Sequence, residues 1–236
     1  MVKGFPSGLV RENHTRLVRW RPRPGSLACL LLALWLATTA ALADTRPVLL
    51  VMGDSLSTAY GIEREAGWVS LLEERLDGSA QVVNASMSGE TSSGGASRFP
   101  ELIGQHDPDI VLLELGGNDG LRGLPPTQLE VNLAGMIEAS QAAGAEVLLL
   151  GIDIPPNYGQ AYRRAFTNVF SRLADTYDTP LVPFLLEDVA LEEGMMQDDG
   201  IHPTSDAQPI ILDNVWSELA PLLEDSGAEL AETAHE

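Results

Sequence analysis

The segments Gly53-Asp54-Ser55-Leu56 and Asp199-Gly200-Ile201-His202 contain the three side-chain types that can make a hydroxyl nucleophilic. Ser55 is the candidate nucleophile, because a serine hydroxyl attacks well only when a base removes its proton. His202 is the candidate base, and Asp199 would accept the other ring N–H and stabilise the imidazolium. Residues three apart face the same way on a single helical turn, which favours Asp199 as the partner of His202. If the fold joins the two segments, the chain is a serine hydrolase.

Each segment also has a purely structural interpretation. An aspartate such as Asp199 can cap the exposed N–H groups at the start of a helix. Gly-Asp-Ser can be a turn in which the aspartate bonds its own backbone. Asp198 is an alternative acid, but a spacing of four residues requires a fuller helical turn.

An oxyanion hole, a set of donors aimed at the negative oxygen of a tetrahedral intermediate, is the third requirement of this chemistry. Asn118, within Gly116-Gly117-Asn118-Asp119, offers a side-chain amide. Gly89 has no Cβ, so its backbone N–H can approach a ligand closely, and the N–H of Ser55 is the third candidate donor. The Gly-Gly-Asn-Asp segment could also form a plain turn or a phosphate cradle. Nucleotide binding is poorly supported, because the sequence has neither Gly-x-Gly-x-x-Gly after the first apolar run nor Gly-Lys-Ser/Thr.

Apolar runs of strand length alternate with longer segments of helical period. Continuous apolar runs are expected for strands that are buried on both faces, and strict alternation predicts a parallel sheet with helices on both sides. Functional loops then follow the carboxyl ends of the strands, which is where Ser55, Gly89 and Asn118 lie. The predicted strands are 48–52, 82–85, 110–115, 147–152 and 181–184, and the predicted helices are 67–76, 94–105, 127–143, 160–177 and 205–223.

Charge is unevenly distributed along the 236 residues. The first 43 hold six of the 14 basic and one of the 34 acidic residues, which leaves eight arginines against 33 acids, a formal charge of −25. Such an anionic protein is not expected to bind nucleic acid or anionic membranes. Cys29, the single cysteine, lies in the first segment, so no disulfide is expected in the remainder.

Residues 1–43 have the pattern of a secretion signal. A basic start precedes an apolar stretch from Leu27 to Thr39 and the small-x-small motif Ala41-Leu42-Ala43. The apolar stretch is short for a membrane span, which needs roughly 20 residues, so cleavage after Ala43 is favoured over a retained anchor. We expect a periplasmic or secreted monomer without a stable membrane anchor, with a hydrolase domain over 44–223 and an acidic, disordered tail over 224–236.

In this order along the chain, Gly53-Asp54-Ser55-Leu56, Gly89, Gly116-Gly117-Asn118-Asp119 and Asp199-Gly200-Ile201-His202-Pro203 resemble the sequence blocks of the SGNH (GDSL) hydrolase family. The flanking residues are similar to exported members that have thioesterase and lysophospholipase activity, and the resemblance spans roughly 44–223. It implies a flavodoxin-like three-layer α/β/α sandwich with a five-stranded parallel sheet, the SGNH hydrolase fold. It also implies a serine esterase or thioesterase that acts through an acyl-enzyme, with arylesterase, acyl-CoA thioesterase or lysophospholipase activity.

The resemblance assigns a role to each motif residue. It implies Ser55, Asp199 and His202 as the catalytic triad, and Ser55, Gly89 and Asn118 as the oxyanion hole. The implied partner is a small acyl or aryl ester or thioester, and the resemblance implies no metal and no organic cofactor.

Leu121, Leu124 and Ile154 are candidate walls for the acyl or aryl group, and core packing is their alternative role. In the exported members that the flanking residues resemble, the loop after the Asn block moves on substrate binding, and here Pro125-Pro126 could stiffen its far end. A polysaccharide O-acetyl esterase is an alternative on the same fold. A non-catalytic flavodoxin-like binding module is the alternative from another class.

Overall fold

The structure is a computed structural model that describes residue 1, residues 46–228 and residue 230. Within this part, five parallel strands form one sheet in the order β2-β1-β3-β4-β5. This is the strand order of flavodoxin-like sheets. The strands stay parallel, but the order in which the chain adds them reverses between β1 and β3. The strands are β1 Val48–Gly53, β2 Gln81–Asn84, β3 Ile110–Glu114, β4 Glu146–Leu150 and β5 Leu181–Val182.

Helices cover both faces of this sheet. The α-helices are α1 Trp68–Leu76, α2 Ser92–His106, α3 Gly117–Leu121, α4 Pro126–Ala143, α5 Gln160–Tyr177 and α6 Gln208–Asp225. Helices α1 and α6 pack together on one face, and α2, α4 and α5 pack side by side on the other. The predicted α/β/α sandwich with a five-stranded parallel sheet is confirmed.

The core lies between these layers and explains the apolar runs of the sequence. Leu49–Met52 of β1 are fully buried because helices cover both sides of the strand. Helix α5 directs Phe166, Val169 and Phe170 into the core at spacings of three and four residues, as an amphipathic helix does. Glu114 is the exception, since it ends β3 as a carboxyl residue with 0 % exposure.

The elements agree in type with the prediction and differ at their ends. Strand β5 has two residues rather than four, because Pro183 follows Val182 and cannot donate a ladder hydrogen bond. Helix α3 was not predicted. Helix α6 continues through Glu224 to Asp225, since Leu223 is still buried in its last turn, so any tail begins later than predicted.

The predicted signal segment, apart from residue 1, and its cleavage point after Ala43 lie outside the described residues. The same holds for residues 229 and 231–236 of the predicted tail. Among the described residues, no helix combines the length and the apolar character needed to cross a membrane.

Candidate active site

The predicted site residues on the strand-following loops lie at the carboxyl edge of the sheet, where the strand order reverses. Ser55 follows β1, Gly89 follows β2, and Asn118 lies in the first turn of α3 directly after β3. Ligands of doubly wound sheets bind in the crevice at this reversal. The sheet topology therefore places a site between the ends of β1 and β3.

Ser55, His202 and Asp199 form one hydrogen-bonded chain. The Oγ atom of Ser55 lies 2.9 Å from Nε2 of His202, and Nδ1 of His202 lies 2.6 Å from Oδ2 of Asp199. The side chain of His202 is 15 % exposed and that of Asp199 is 41 % exposed. The imidazole is thus enclosed, while the carboxylate faces solvent on one side.

The segment from Asp199 to His202 is a turn, and the predicted helical turn was wrong. Gly200 has φ +64°, outside the helical region. The Oδ1 atom of Asp199 accepts hydrogen bonds from the backbone N–H groups of Ile201 and His202 at 2.9 and 3.0 Å. The Oδ2 atom is the hydrogen-bond partner of the His202 ring nitrogen Nδ1. One carboxylate therefore both organises the turn and orients the imidazole. The sequence analysis had treated backbone capping and orientation of His202 as alternative roles of Asp199.

The carboxyl group of Asp199 is held in its ionised form. Burial raises the pKa of Asp199, but the hydrogen bonds from the backbone and ring of His202 and from the Ile201 N–H outweigh burial and lower that pKa to about 2. The group therefore carries its negative charge throughout the neutral range.

Two residues that the sequence analysis missed hold the His202 segment in place. The ring of Tyr60 packs on the imidazole with centroids 4.4 Å apart. The amide Nε2 of Gln197 donates to the carbonyls of Tyr60 and Pro203 at 2.8 and 2.9 Å, and the backbone N–H of Gln197 donates to the carbonyl of His202. No local sequence pattern indicates these contacts, because Tyr60 and Gln197 are 137 residues apart.

The three predicted oxyanion donors have N–H groups that are free to bind a ligand. Asn118 donates from Nδ2 to Oδ2 of Asp54 at 3.0 Å, which uses one of its two amide hydrogens. The backbone N–H groups of Ser55 and Gly89 have no acceptor among residues 46–228. Gly89 has φ +79° with no atom within 4 Å of the place where a Cβ would lie. Free donors of this kind can stabilise a developing negative oxygen.

Two buried carboxyl groups lie beneath the loop that carries Ser55, and the sequence analysis assigned neither of them to the site. Asp54 is 2 % exposed; its Oδ1 accepts the N–H of Leu56 at 3.1 Å and its Oδ2 accepts the amide of Asn118. The Oε2 atom of Glu114 accepts the N–H of Asp54 at 3.0 Å and the hydroxyl of Ser57 at 2.8 Å. The sequence did contain a signal for this pair, because a glutamate inside an apolar strand run is unusual and indicates a buried polar contact.

Burial sets the electrostatics of this pair. Burial raises the pKa of Asp54 to about 6, although the hydrogen bonds from Leu56 and Asn118 act in the opposite direction. Burial and then the negative charge of Asp54 raise the pKa of Glu114 well above its usual range.

The loop after Asn118 is held by two tyrosines. Tyr158 donates its hydroxyl to the carbonyl of Leu121 at 2.8 Å, and Tyr162 donates to the carbonyl of Leu124 at 2.7 Å. Leu121 and Leu124 are half-buried, whereas Ile154 is only 3 % exposed and lies against Gly120. This burial favours core packing, the alternative role of Ile154. Residues 46–228 contain no cluster of His, Cys, Asp and Glu that could hold a metal ion.

Comparison with known proteins finds relatives that are described as esterases, thioesterases or acylhydrolases. The profile of the GDSL-like lipase/acylhydrolase family matches residues 51–208. The esterase TesA of Pseudomonas aeruginosa is 53% identical over 195 residues, which cover 81% of this chain and 96% of that protein. The thioesterase 1/protease 1/lysophospholipase L1 of Escherichia coli K12 is 46% identical over 211 residues, which cover 89% and 97%. A crystal structure of the psychrotrophic esterase EstA from Pseudoalteromonas, inhibited by monoethylphosphonate, superposes with a TM-score of 0.72 at 41% identity and covers 75% of this chain and 99% of EstA.

Replacing Tyr158 and Tyr162 together by Phe is expected to loosen the loop from residue 120 to residue 126. The change removes both hydroxyl donors, each worth about 1 kcal/mol, so amide hydrogen exchange there should accelerate roughly fivefold or more. Tyr177→Phe is the matched control on α5, because the Tyr177 hydroxyl donates to Glu138 away from the loop. Unchanged exchange in the double variant would contradict this account of the loop.

Proposed function

The chain belongs to the GDSL-like lipase/acylhydrolase family and is an ester hydrolase, and we propose that it cleaves carboxylic esters and thioesters by transferring the acyl group to Ser55. The observation that carries this proposal is the hydrogen-bonded chain from Ser55 through His202 to Asp199, with contacts of 2.9 and 2.6 Å. A nucleophile, a base in contact with it and an acid that orients the base are the parts that acyl transfer needs.

Acylation begins when the Ser55 oxygen attacks the carbonyl carbon of the ester. Nε2 of His202 accepts the hydroxyl proton, and the ionised Asp199 stabilises the resulting imidazolium. The negative charge that develops on the carbonyl oxygen is met by the free N–H groups of Ser55, Gly89 and Asn118. When the tetrahedral intermediate collapses, the bond to the leaving group breaks and His202 returns its proton to the departing alcohol or thiol.

Deacylation repeats these steps with water as the nucleophile. His202 removes a proton from water as the oxygen attacks the acyl carbon on Ser55. Collapse of the second intermediate breaks the ester bond to Ser55, which takes the proton back from His202, and the free acid leaves. No step needs a metal or an organic cofactor.

Small acyl or aryl esters and thioesters are the proposed substrate class. The relatives carry the names esterase, arylesterase, thioesterase and lysophospholipase, and the half-buried Leu121 and Leu124 offer apolar surface beside the site. The formal charge of −25 after residue 43 favours neutral acyl or aryl groups over polyanions as the part that approaches the site.

Ser55→Ala is expected to abolish hydrolysis of p-nitrophenyl esters, because it removes the attacking oxygen. We expect kcat to fall at least about 10³-fold while the fold remains intact, since the side chain shrinks by one atom. Initial rates and thermal unfolding of both proteins check this. Turnover of the variant near the wild-type rate would refute Ser55 as the nucleophile. Failure of a fluorophosphonate probe to label Ser55 in the wild type would favour the non-catalytic binding module.

Asp199→Ala and Asp198→Ala form a matched pair that identifies the acid. Asp199→Ala removes the partner of Nδ1 and should lower kcat roughly 10²- to 10⁴-fold. Asp198→Ala should keep kcat within about threefold, since Asp198 makes no hydrogen bond to His202. Equal losses in the two variants, measured as kcat on one p-nitrophenyl ester, would argue against this assignment.

We also propose that the protein is exported and cut after Ala43, so that the working enzyme is a periplasmic or secreted monomer starting at Asp44. The basic, apolar and small-residue regions of residues 1–43 support this proposal. Expression of the full chain in a Gram-negative host should yield a periplasmic protein whose amino-terminal sequencing begins at Asp44 and whose size in solution is that of one chain. Recovery of uncut protein in the membrane fraction would support a retained anchor instead.

A further inference from the structure

Glu114 is the most deeply buried charged-type residue near the site, and the mechanism above leaves it without a role. It ends β3, is 0 % exposed, and pairs in register with Gly53 at the end of β1. A Cβ on residue 53 would lie 2.5 Å from Oε2 of Glu114. Gly53 thus leaves the space into which the carboxyl group of Glu114 fits, directly beneath the loop that carries Ser55.

The contacts of Glu114 bracket the nucleophile. Its Oε2 atom accepts the backbone N–H of Asp54, the residue before Ser55, and the hydroxyl of Ser57, two residues after it. Asp54 in turn binds the amide of Asn118, the side-chain oxyanion donor. Displacing Glu114 would therefore move both the attacking oxygen and one of the donors that receive the carbonyl oxygen.

The other oxygen of Glu114 indicates which form of the acid is present. Oε1 is buried and accepts no hydrogen bond among the residues that the structure describes. An ionised carboxylate would leave that oxygen charged and without a protein donor at a fully buried position, which is unfavourable. A neutral acid leaves no uncompensated charge on Oε1, and burial together with the adjacent negative charge of Asp54 favours that form.

We propose that Glu114 is a positioning residue that holds the nucleophile loop while its own carboxyl group is neutral and protonated. The proposal rests on the proposed function, since it assigns Glu114 a role in setting the geometry of Ser55 and Asn118. The two carboxyls then carry one negative charge between them, located on Asp54, where Leu56 and Asn118 donate to it.

The charged groups around the pair act in opposite directions. Asp119 disfavours a negative charge on Asp54, and His202 favours it when its ring is protonated. Neither Asp119 nor His202 forms a hydrogen bond with Glu114. The hydrogen-bond partners of Glu114 are Asp54 and Ser57. The proton on Glu114 is thus retained because of burial and the adjacent Asp54.

The proton on Glu114 links folding to pH. The pKa of Glu114 is higher in the folded chain than in the unfolded chain, so its stabilising contribution is complete below about 4.5 and is lost as pH rises through the folded value. Deprotonation would also place a second negative charge beside Asp54 in the interior, so the turnover of the wild type should decline on the alkaline side as well.

Glu114→Gln and Glu114→Leu test this proposal together. Gln keeps the oxygen that accepts from Asp54 and Ser57 and cannot ionise, so kcat should stay within about threefold of the wild type. The alkaline decline of this variant in both kcat and melting temperature should be weaker. Leu removes both contacts, so kcat should fall roughly tenfold or more with KM changed much less. Glu146→Gln is the control, a neutralisation of an exposed glutamate at the start of β4, and should match the wild type.

Ser57→Ala serves if the Leu variant does not fold, because it removes only the hydroxyl donor to Glu114 and should lower kcat by a smaller factor. The proposal is overturned if Gln loses as much kcat as Leu, which would require an ionised carboxylate. It is also overturned if Gln, Ser57→Ala and the wild type share the same kcat and pH profile. A fluorophosphonate probe distinguishes failure of the proposed function from failure of the role of Glu114. A wild type that is not labelled at Ser55 refutes the proposed function. Variants that are labelled and all match the wild type in kcat and pH profile refute only the role of Glu114.

Discussion

The carboxyl group of Asp54 connects the two loops on which the site is built. It accepts the N–H of Leu56 within the loop after β1 and the amide of Asn118 after β3. This contact exists because β1 and β3 are neighbours in the sheet, paired from Leu49 with Ile110 to Gly53 with Glu114. Another strand order would separate Ser55 from Asn118. The chemistry of the site therefore depends on the topology of the sheet.

Polar groups at the site are placed at different depths. Asp54 and Glu114 lie in the interior, where an unpaired carboxyl is costly, and hydrogen bonds from the loop compensate for the lost hydration. Asp199 and His202 lie on an irregular surface segment, and their geometry comes from a turn that the carboxylate organises. Buried groups thus support the loop that carries the nucleophile, while the base lies on a surface loop that Gln197 ties together and that packs on Tyr60.

The fold was predictable from the sequence because strands buried on both faces are continuous apolar runs, and helices such as α5 carry a clear apolar face. The residues Ser55, Gly89, Asn118, Asp199 and His202 were predictable as candidates because each lies in a polar or glycine-rich segment. The helical turn predicted at His202 was wrong, since Gly200 adopts a left-handed conformation that spacing alone does not indicate. Glu114 was missed because five apolar residues of the predicted strand surround it, and Ile154 is buried although its position suggested an open wall.

The sequence by itself determined which elements form and which side chains are chemically able to act, because periodicity and residue type are local properties. The tertiary structure decided which of those side chains meet. Ser55 and His202 are 147 residues apart, and their contact follows only from the packing of the last loop against the end of β1. The partnership of Asp54 with Glu114 likewise follows from strand register. Both are long-range relations, and the energy that creates them comes from burying a shared core rather than from any segment alone.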